Sequence, residues 1–298
     1  MKTTNSIYKL TIKGVLLSVM LFVPAFASAQ QSELSMLMQK ADQLGIDKSY
    51  ITRLQERAQE NGISEQQLAD ILTPAVALAE NDLPFDMILE KTSEGFAKRV
   101  PEQALINVLR GLQEATQKAV PLIDPWMKRA SVQEMISRNQ ASDSEQGFRN
   151  DLLKNTGRAL NQGVSEESVL SFIEELGSDE IMSNINSRDI VASMRIYPDL
   201  PTTADNSALS QQLVVRSLKG GFKSSDLEKL PSAMRMAQAR GQLPAGNIVN
   251  GILEQLQVGS PAGDILQNLF DGNIGGGPPS GLPGRPDNPA GRGGGNNG

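Results

Sequence analysis

The chain contains neither histidine nor cysteine in its 298 residues. Without histidine it lacks the side chain whose charge changes near neutrality, and with it Ser-His-Asp triads and the usual zinc ligands. Without cysteine there is no thiol chemistry, no disulfide and no site for a lipid at a signal-peptide junction, so stability must come from packing. Aromatic residues make up only 4% of the chain, few for the ring platforms of a sugar cleft. No cluster of lysine and arginine is present to hold phosphates, which argues against nucleic acid and anionic membrane as partners. No G-x-x-x-x-G-K loop and no D-x-D-x-D-G calcium loop occurs. No S-x-x-K stands at the start of an apolar helix, and Ser217-Leu218-Lys219 has the wrong spacing. Beyond the first thirty residues no segment is long and apolar enough to span a bilayer.

Those first thirty residues differ from the rest. Lys2, Lys9 and Lys13 form a positive leader, an apolar run follows from Val15 to Val23, and Pro24 breaks it. Ala27-Ser28-Ala29 then offers the small-x-small exit of a secretory signal peptide, predicting cleavage after Ala29 and an exported, periplasmic or extracellular chain. Loss of three lysines and no acid would leave the chain three charges more negative than its full-length −6.

From Glu33 to Phe270 the apolar spacing is helical. Phe85, Ile88, Leu89, Thr92 and Phe96 form one stripe on a 3.6-residue helix. Leu213-Val214-Val215 is the nearest approach to a strand, yet Leu209 and Leu218 extend it at helical spacing. Ser64-Glu65-Gln66-Gln67 reads as a capping box, and Ser165 and Ser187 as N-caps. Pro84, Pro101, Pro244 and Pro261 suit the first helical position, while Gly62, Gly163, Gly177 and Gly221 suit helix ends.

A repeat runs through this pattern. Shifting residues 64–109 by 160 aligns Leu83-Pro84 with Leu243-Pro244, Ile88 with Ile248, Glu94 with Glu254, Pro101 with Pro261 and Leu109 with Leu269, without a gap. A second echo sets Asn61-Gly62-Ile63-Ser64-Glu65 beside Gln162-Gly163-Val164-Ser165-Glu166. The expectation is an all-α protein of short helices in stacked hairpins built on a duplicated unit. Two lobes are expected, residues 30–196 and 208–271, joined by a linker at 197–207. A polar surface loop is expected at 139–147. A tail rich in Gly, Pro and Asn at 272–298 is expected to be disordered.

Glu94-Gly95-Phe96-Ala97-Lys98-Arg99-Val100-Pro101 resembles an E-G-aliphatic-A-K-x-V-P segment of uncharacterised exported bacterial helical proteins, with Phe96 at the aliphatic position. The resemblance implies a helical exported chain and assigns no catalytic residue.

What chemistry remains belongs to carboxylates. A glycan hydrolase needs two acids flanking the scissile bond, one with a raised pKa. Glu94 is the most nameable acid, repeated at Glu254 and adjacent to Gly95. Against this, Glu94 and Lys98 are spaced as an i, i+4 salt pair, and Gly95 suits close helix packing. Trp126, following Pro125 and opening a helix with Met127, reads as a plug at the end of a core. The methionines at 36, 38, 87, 127, 135, 182, 194, 234 and 236 read as core filling. The sequence therefore assigns no catalytic, cofactor-binding or metal-binding residue and no cofactor. Its best reading is an exported, non-enzymatic scaffold or interaction module, with another protein or envelope component as partner. An envelope glycan hydrolase and a self-associating structural component are the alternatives.

Overall fold

A computed structural model describes residues 24–139, 144–201 and 207–274, with side chains from Glu33 onward. The stretch from Met1 to Val23, and so most of the expected leader, lies outside the described residues, as do 140–143, 202–206 and the tail beyond Ile274. Among the described residues the fold is all-α with no strand.

The chain divides into two compact units, one ending at Ser187 and the other starting at Arg188. The first contains α1 (Pro24–Gln43), α2 (Lys48–Glu60), α3 (Glu65–Ala79), α4 (Asp86–Ala97), α5 (Glu102–Met127), α6 (Ala130–Asn139), α7 (Glu145–Asn161), α8 (Glu166–Leu176) and the single turn α9 (Asp179–Met182). Helices two apart in sequence are neighbours in space: α1 packs on α3, α3 on α5, α5 on α7, and α2 on α4. This is the arrangement of stacked hairpins, in which each pair covers the apolar face that its neighbour cannot bury alone. The stripe Ile88, Leu89, Thr92 and Phe96 is buried along α4, with Phe85 at the helix entrance half-buried. Full burial of each such aliphatic side chain contributes about 1.5–3 kcal/mol.

Among the described helices, α5 and α7 pack most extensively. A Cβ on Gly157 would lie 2.7 Å from Thr116 Oγ1 and 3.0 Å from Thr116 Cα, so only glycine lets these backbones approach. Beside the crossing, Arg149 forks onto Asp124, with Nε donating to Oδ1 at 2.8 Å and Nη2 to Oδ2 at 3.0 Å. Arg138 of α6 donates to the carbonyls of Met182 and Ser183, satisfying the last acceptors of α9.

The second unit contains α10 (Ser187–Ile196, starting at the boundary), a 3-10 turn (Tyr197–Asp199), α11 (Ser207–Lys219), α12 (Ser224–Leu227), α13 (Leu230–Gly241), α14 (Ala245–Gln257) and α15 (Ala262–Asp271). The division falls ahead of the 197–207 segment expected as a linker, and α10 belongs with the second unit for physical reasons. Asp189 is fully buried and accepts the Ser224 amide at 2.7 Å, Arg195 pairs with Glu228 at 2.9 Å, and Arg235 donates to the Asp199 carbonyl at 3.0 Å. Tyr197, also buried, receives a hydrogen bond from Gln211 at 3.1 Å.

The duplication expected from sequence recurs in the geometry. α11, α13, α14 and α15 correspond to α2, α3, α4 and α5 at the 160-residue offset. The pairings correspond as well: α11 packs on α14, α13 on α15 and α13 on α14, as α2 does on α4, α3 on α5 and α3 on α4. Ile51, Leu54 and Ala58 are buried on α2, and Gln211, Val214 and Leu218 are buried at the equivalent positions of α11.

One corner recurs at the ends of these helices. The residue after the helix end takes a left-handed conformation, and the next amide reaches back to a carbonyl five residues earlier, closing a Schellman motif. It occurs at Gly45, Gly62, Asp82, Arg99, Gly163, Gly221, Gly259 and Gly272. Ile63 donates to Ala58, Val164 to Ala159 and Phe222 to Ser217, at 2.9, 3.1 and 3.0 Å. The Asn61–Glu65 and Gln162–Glu166 echo is therefore this corner followed by a serine cap: Ser64 accepts from Gln67 N–H and Ser165 from Ser168 N–H.

Several expectations need correction. Pro101, Pro244 and Pro261 are N-caps with extended ψ, one residue before the helix, and Pro84 lies one further back, before Phe85. Trp126 closes α5 instead of opening a helix, because α5 continues through Pro121 and Pro125 to Met127. The polar segment 139–147 is helical at both ends, since Asn139 finishes α6 and Ser144 caps α7. At the start of the expected tail, Ile274 is buried. Ser187 is the first residue of α10 and not a cap before it.

Candidate functional site

Glu94, the acid singled out from sequence, sits near the end of α4 with a 41% exposed side chain. Lys91 Nζ donates to one carboxylate oxygen at 2.7 Å and Lys98 Nζ to the other at 2.5 Å. These two ammonium groups, first by hydrogen bonding and then by their charge, pull the Glu94 pKa from the ordinary 4.5 down to about 2. A general acid needs the opposite shift. Gly95 is buried because a Cβ there would meet Leu105 Cδ1 at 2.6 Å, so its role is to admit α5.

The remainder of the E-G-F-A-K-R-V-P string is equally architectural. Arg99 adopts the left-handed conformation at φ 52°, and the Val100 amide returns to the Gly95 carbonyl at 2.9 Å. Pro101 caps α5, its carbonyl accepting from Leu105 N–H at 3.0 Å. Glu94, Gly95, Arg99, Val100 and Pro101 thus all belong to one helix–corner–helix junction.

Trp126 is 3% exposed and tilts against Phe148 of α7, with ring centroids 6.5 Å apart. Its indole N–H has no acceptor and faces the backbone of Gly177, where a Cβ would come within 2.7 Å. It plugs the core where α5, α7 and α8 converge, as sequence suggested, and is closed to a partner.

The methionines divide. Met87, Met127, Met135, Met182, Met194 and Met234 are buried, but Met36 is 62% exposed and Met236 41%. Sequence reasoning missed the distinction at Met36. Leu34, Leu37, Met38 and Ala41 form the inward stripe of α1, and Met36 lies off it, a signal that was available in the spacing.

Two surfaces stand out. On α8 and α9, Glu166, Glu167, Glu174, Glu175, Asp179 and Glu180 are all exposed, and no lysine or arginine occurs between Arg158 and Arg188. Arg129, in the turn between α5 and α6, pairs with Glu174 at 3.2 Å. At the other end of this unit, α1 and α2 enclose an open cleft of about 430 Å³. Leu34, Met38 and Ile51 supply its apolar lining, and Asp42, Lys48 and Glu65 its charges. Among the described residues no group of three acids is placed to hold a metal ion, and no helix is long and apolar enough to cross a membrane.

Compared with known proteins, the chain matches no family model, no curated protein and no solved structure.

Proposed function

We propose that this chain is exported and acts as a non-enzymatic helical scaffold, holding another envelope protein or component against its helix faces without a cofactor. The observation that carries the reading is the state of Glu94. The residue best suited by sequence to acid catalysis is neutralised by Lys91 and Lys98, in a string whose other members build a helix junction. Stacked helices of this kind expose extended faces, and their work is recognition. The acidic face of α8 and α9 favours a partner carrying positive charge. Export rests on the leader of Lys2, Lys9 and Lys13, the apolar run and Ala27-Ser28-Ala29.

Two measurements test the reading. Mass spectrometry of the chain recovered from the host's envelope and medium should find an N-terminus at Gln30; recovery only from the cytoplasm with Met1 intact would overturn export. Purified protein incubated with envelope glycan should release no new reducing ends. Release that disappears in Glu94→Gln would make the chain a carboxylate hydrolase instead.

A further inference from the structure

We propose that Asn61 is a site of spontaneous modification, where water converts its side-chain amide to a carboxylate through a ring closed with the backbone of Gly62. The reaction needs no enzyme and no cofactor. The Gly62 nitrogen, its proton lost to a solvent base, bonds to Asn61 Cγ. The bond from Cγ to Nδ2 breaks, and Nδ2 leaves as ammonia after taking a proton from water. Water then opens the five-membered imide at either carbonyl. The product is aspartate or, with the main chain rerouted through the side chain, isoaspartate. The proposal stands whether or not the chain is exported.

Glycine after asparagine favours this closure, because no Cβ hinders the attacking nitrogen. Here the corner itself demands the glycine, since Gly62 takes φ 72°. Asn61 and Gly62 are both exposed. Two hydrogen bonds hold the reacting groups in the folded chain. Asn61 Nδ2 donates to the Arg57 carbonyl at 2.7 Å, and Gly62 N–H to the Gln59 carbonyl at 3.0 Å. Both belong to the last turn of α2, where Arg57, Gln59 and Glu60 are exposed. Fraying of that turn frees both groups and leaves Ile51 and Leu54 in the core.

Two other sites each share half of this arrangement. Asn250-Gly251 is the same pair, but it lies inside α14 between the buried Val249 and Ile252. Its amide is freed only when that helix leaves its core. Gln162-Gly163 is the same corner: φ is −84° at Gln162 and −90° at Asn61, ψ is 2° at both, and Gly163 N–H donates to Leu160 at 3.0 Å. The extra methylene of glutamine requires a six-membered ring, which closes far more slowly. Among the described residues Asn61 alone combines the reactive pair with a fraying end. Either product places a negative charge at the C-terminal end of α2, which the helix dipole disfavours. Isoaspartate also lengthens the main chain by a methylene inside the corner, displacing the Ile63 amide from the Ala58 carbonyl. The α2–α3 corner is thereby loosened irreversibly.

The test holds the full-length protein in warm, mildly alkaline buffer, then digests samples at acid pH, where ring closure stalls, and maps the peptides by mass. Asn61 should gain the mass difference between amide and acid at least about tenfold faster than Asn250, a ratio set by the different cost of opening each site. The product should separate into aspartyl and isoaspartyl peptides, the mark of the imide. Asn61→Gln should abolish the change and keep the helical circular dichroism, since Gln162 already serves at the equivalent corner. Conversion of Asn61 no faster than that of Asn250 overturns the proposal. So does an aspartyl product with no isoaspartyl partner, which would mean direct hydrolysis without the Gly62 nitrogen.

Discussion

The junction between α4 and α5 and its counterpart between α14 and α15 share a backbone and a buried apolar face, and differ in the residues around them. Val100 reaches back to Gly95 and Ser260 to Gln255, both at 2.9 Å, and Leu105 and Ile265 donate to Pro101 and Pro261. Ile88 and Ile248, Leu105 and Ile265, and Leu109 and Leu269 are buried in both. Yet Gly95 becomes Gln255, Arg99 becomes Gly259, and Lys91 and Lys98 become Gly251 and Val258. The comparison teaches which letters of the motif build the corner and which are local. Buried aliphatics and the capping proline build it; the lysine clamp on Glu94 belongs to the first copy alone.

The largest effects should come from what is shared. Leu109→Ala and Leu269→Ala each remove a fully buried side chain, and each should lower stability by about 2–5 kcal/mol in urea unfolding of the full chain. A loss at one site only would break the equivalence. Next come the exchanges at Gly95. Gly95→Gln drives a Cβ to 2.6 Å from Leu105 Cδ1 and should destabilise by about 1–3 kcal/mol. The reverse change, Gln255→Gly, should cost about 1 kcal/mol through helix propensity. Smaller still is the left-handed residue. Arg99→Gly should stabilise by about 0.5 kcal/mol and Gly259→Arg destabilise by about 1 kcal/mol, since a side chain is strained at positive φ. Equal signs for the two would deny that they occupy the same corner.

The smallest effect is the pH dependence of Glu94. Its folded pKa of about 2 lies below the ordinary 4.5, so its contribution is present above pH 4.5 and fades as pH falls toward 2. Glu94→Gln should flatten that part of the stability profile, by an amount that salt diminishes because the group is exposed. An unchanged acid limb would show that the two lysines do not hold the carboxylate in solution.

Helix existence was legible because it rests on apolar periodicity, as the stripe from Ile88 to Phe96 shows. Caps were legible where side-chain oxygen marks them, at Ser64 and Ser165. Proline misled by one position at Pro101, Pro244 and Pro261 and by two at Pro84: its fixed φ suits the extended N-cap as well as the first helical turn, and sequence does not separate the two. Trp126 misled because Pro121 and Pro125 look like helix breakers, while α5 continues through both. The unit boundary was hidden since Pro198 and Pro201 signal a break in the chain, whereas long-range contacts such as Asp189 to Ser224 decide which unit a helix joins. The fate of Glu94 was half visible. Lys98 was seen at i+4; the second clamp, Lys91 at i−3, needed the structure. The α1–α2 cleft was not visible at all, because it is lined by residues of more than one helix and belongs to no single one.

Amide hydrogen exchange at Val100 and Ser260 tests the central claim most directly, because that claim places the repeat in the corner and not in the charged letters around it. Both amides should be strongly protected, and Glu94→Gln should leave both so. Exchange of Ser260 at the rate of an unstructured amide, or loss of Val100 protection on removing the Glu94 charge, would contradict it.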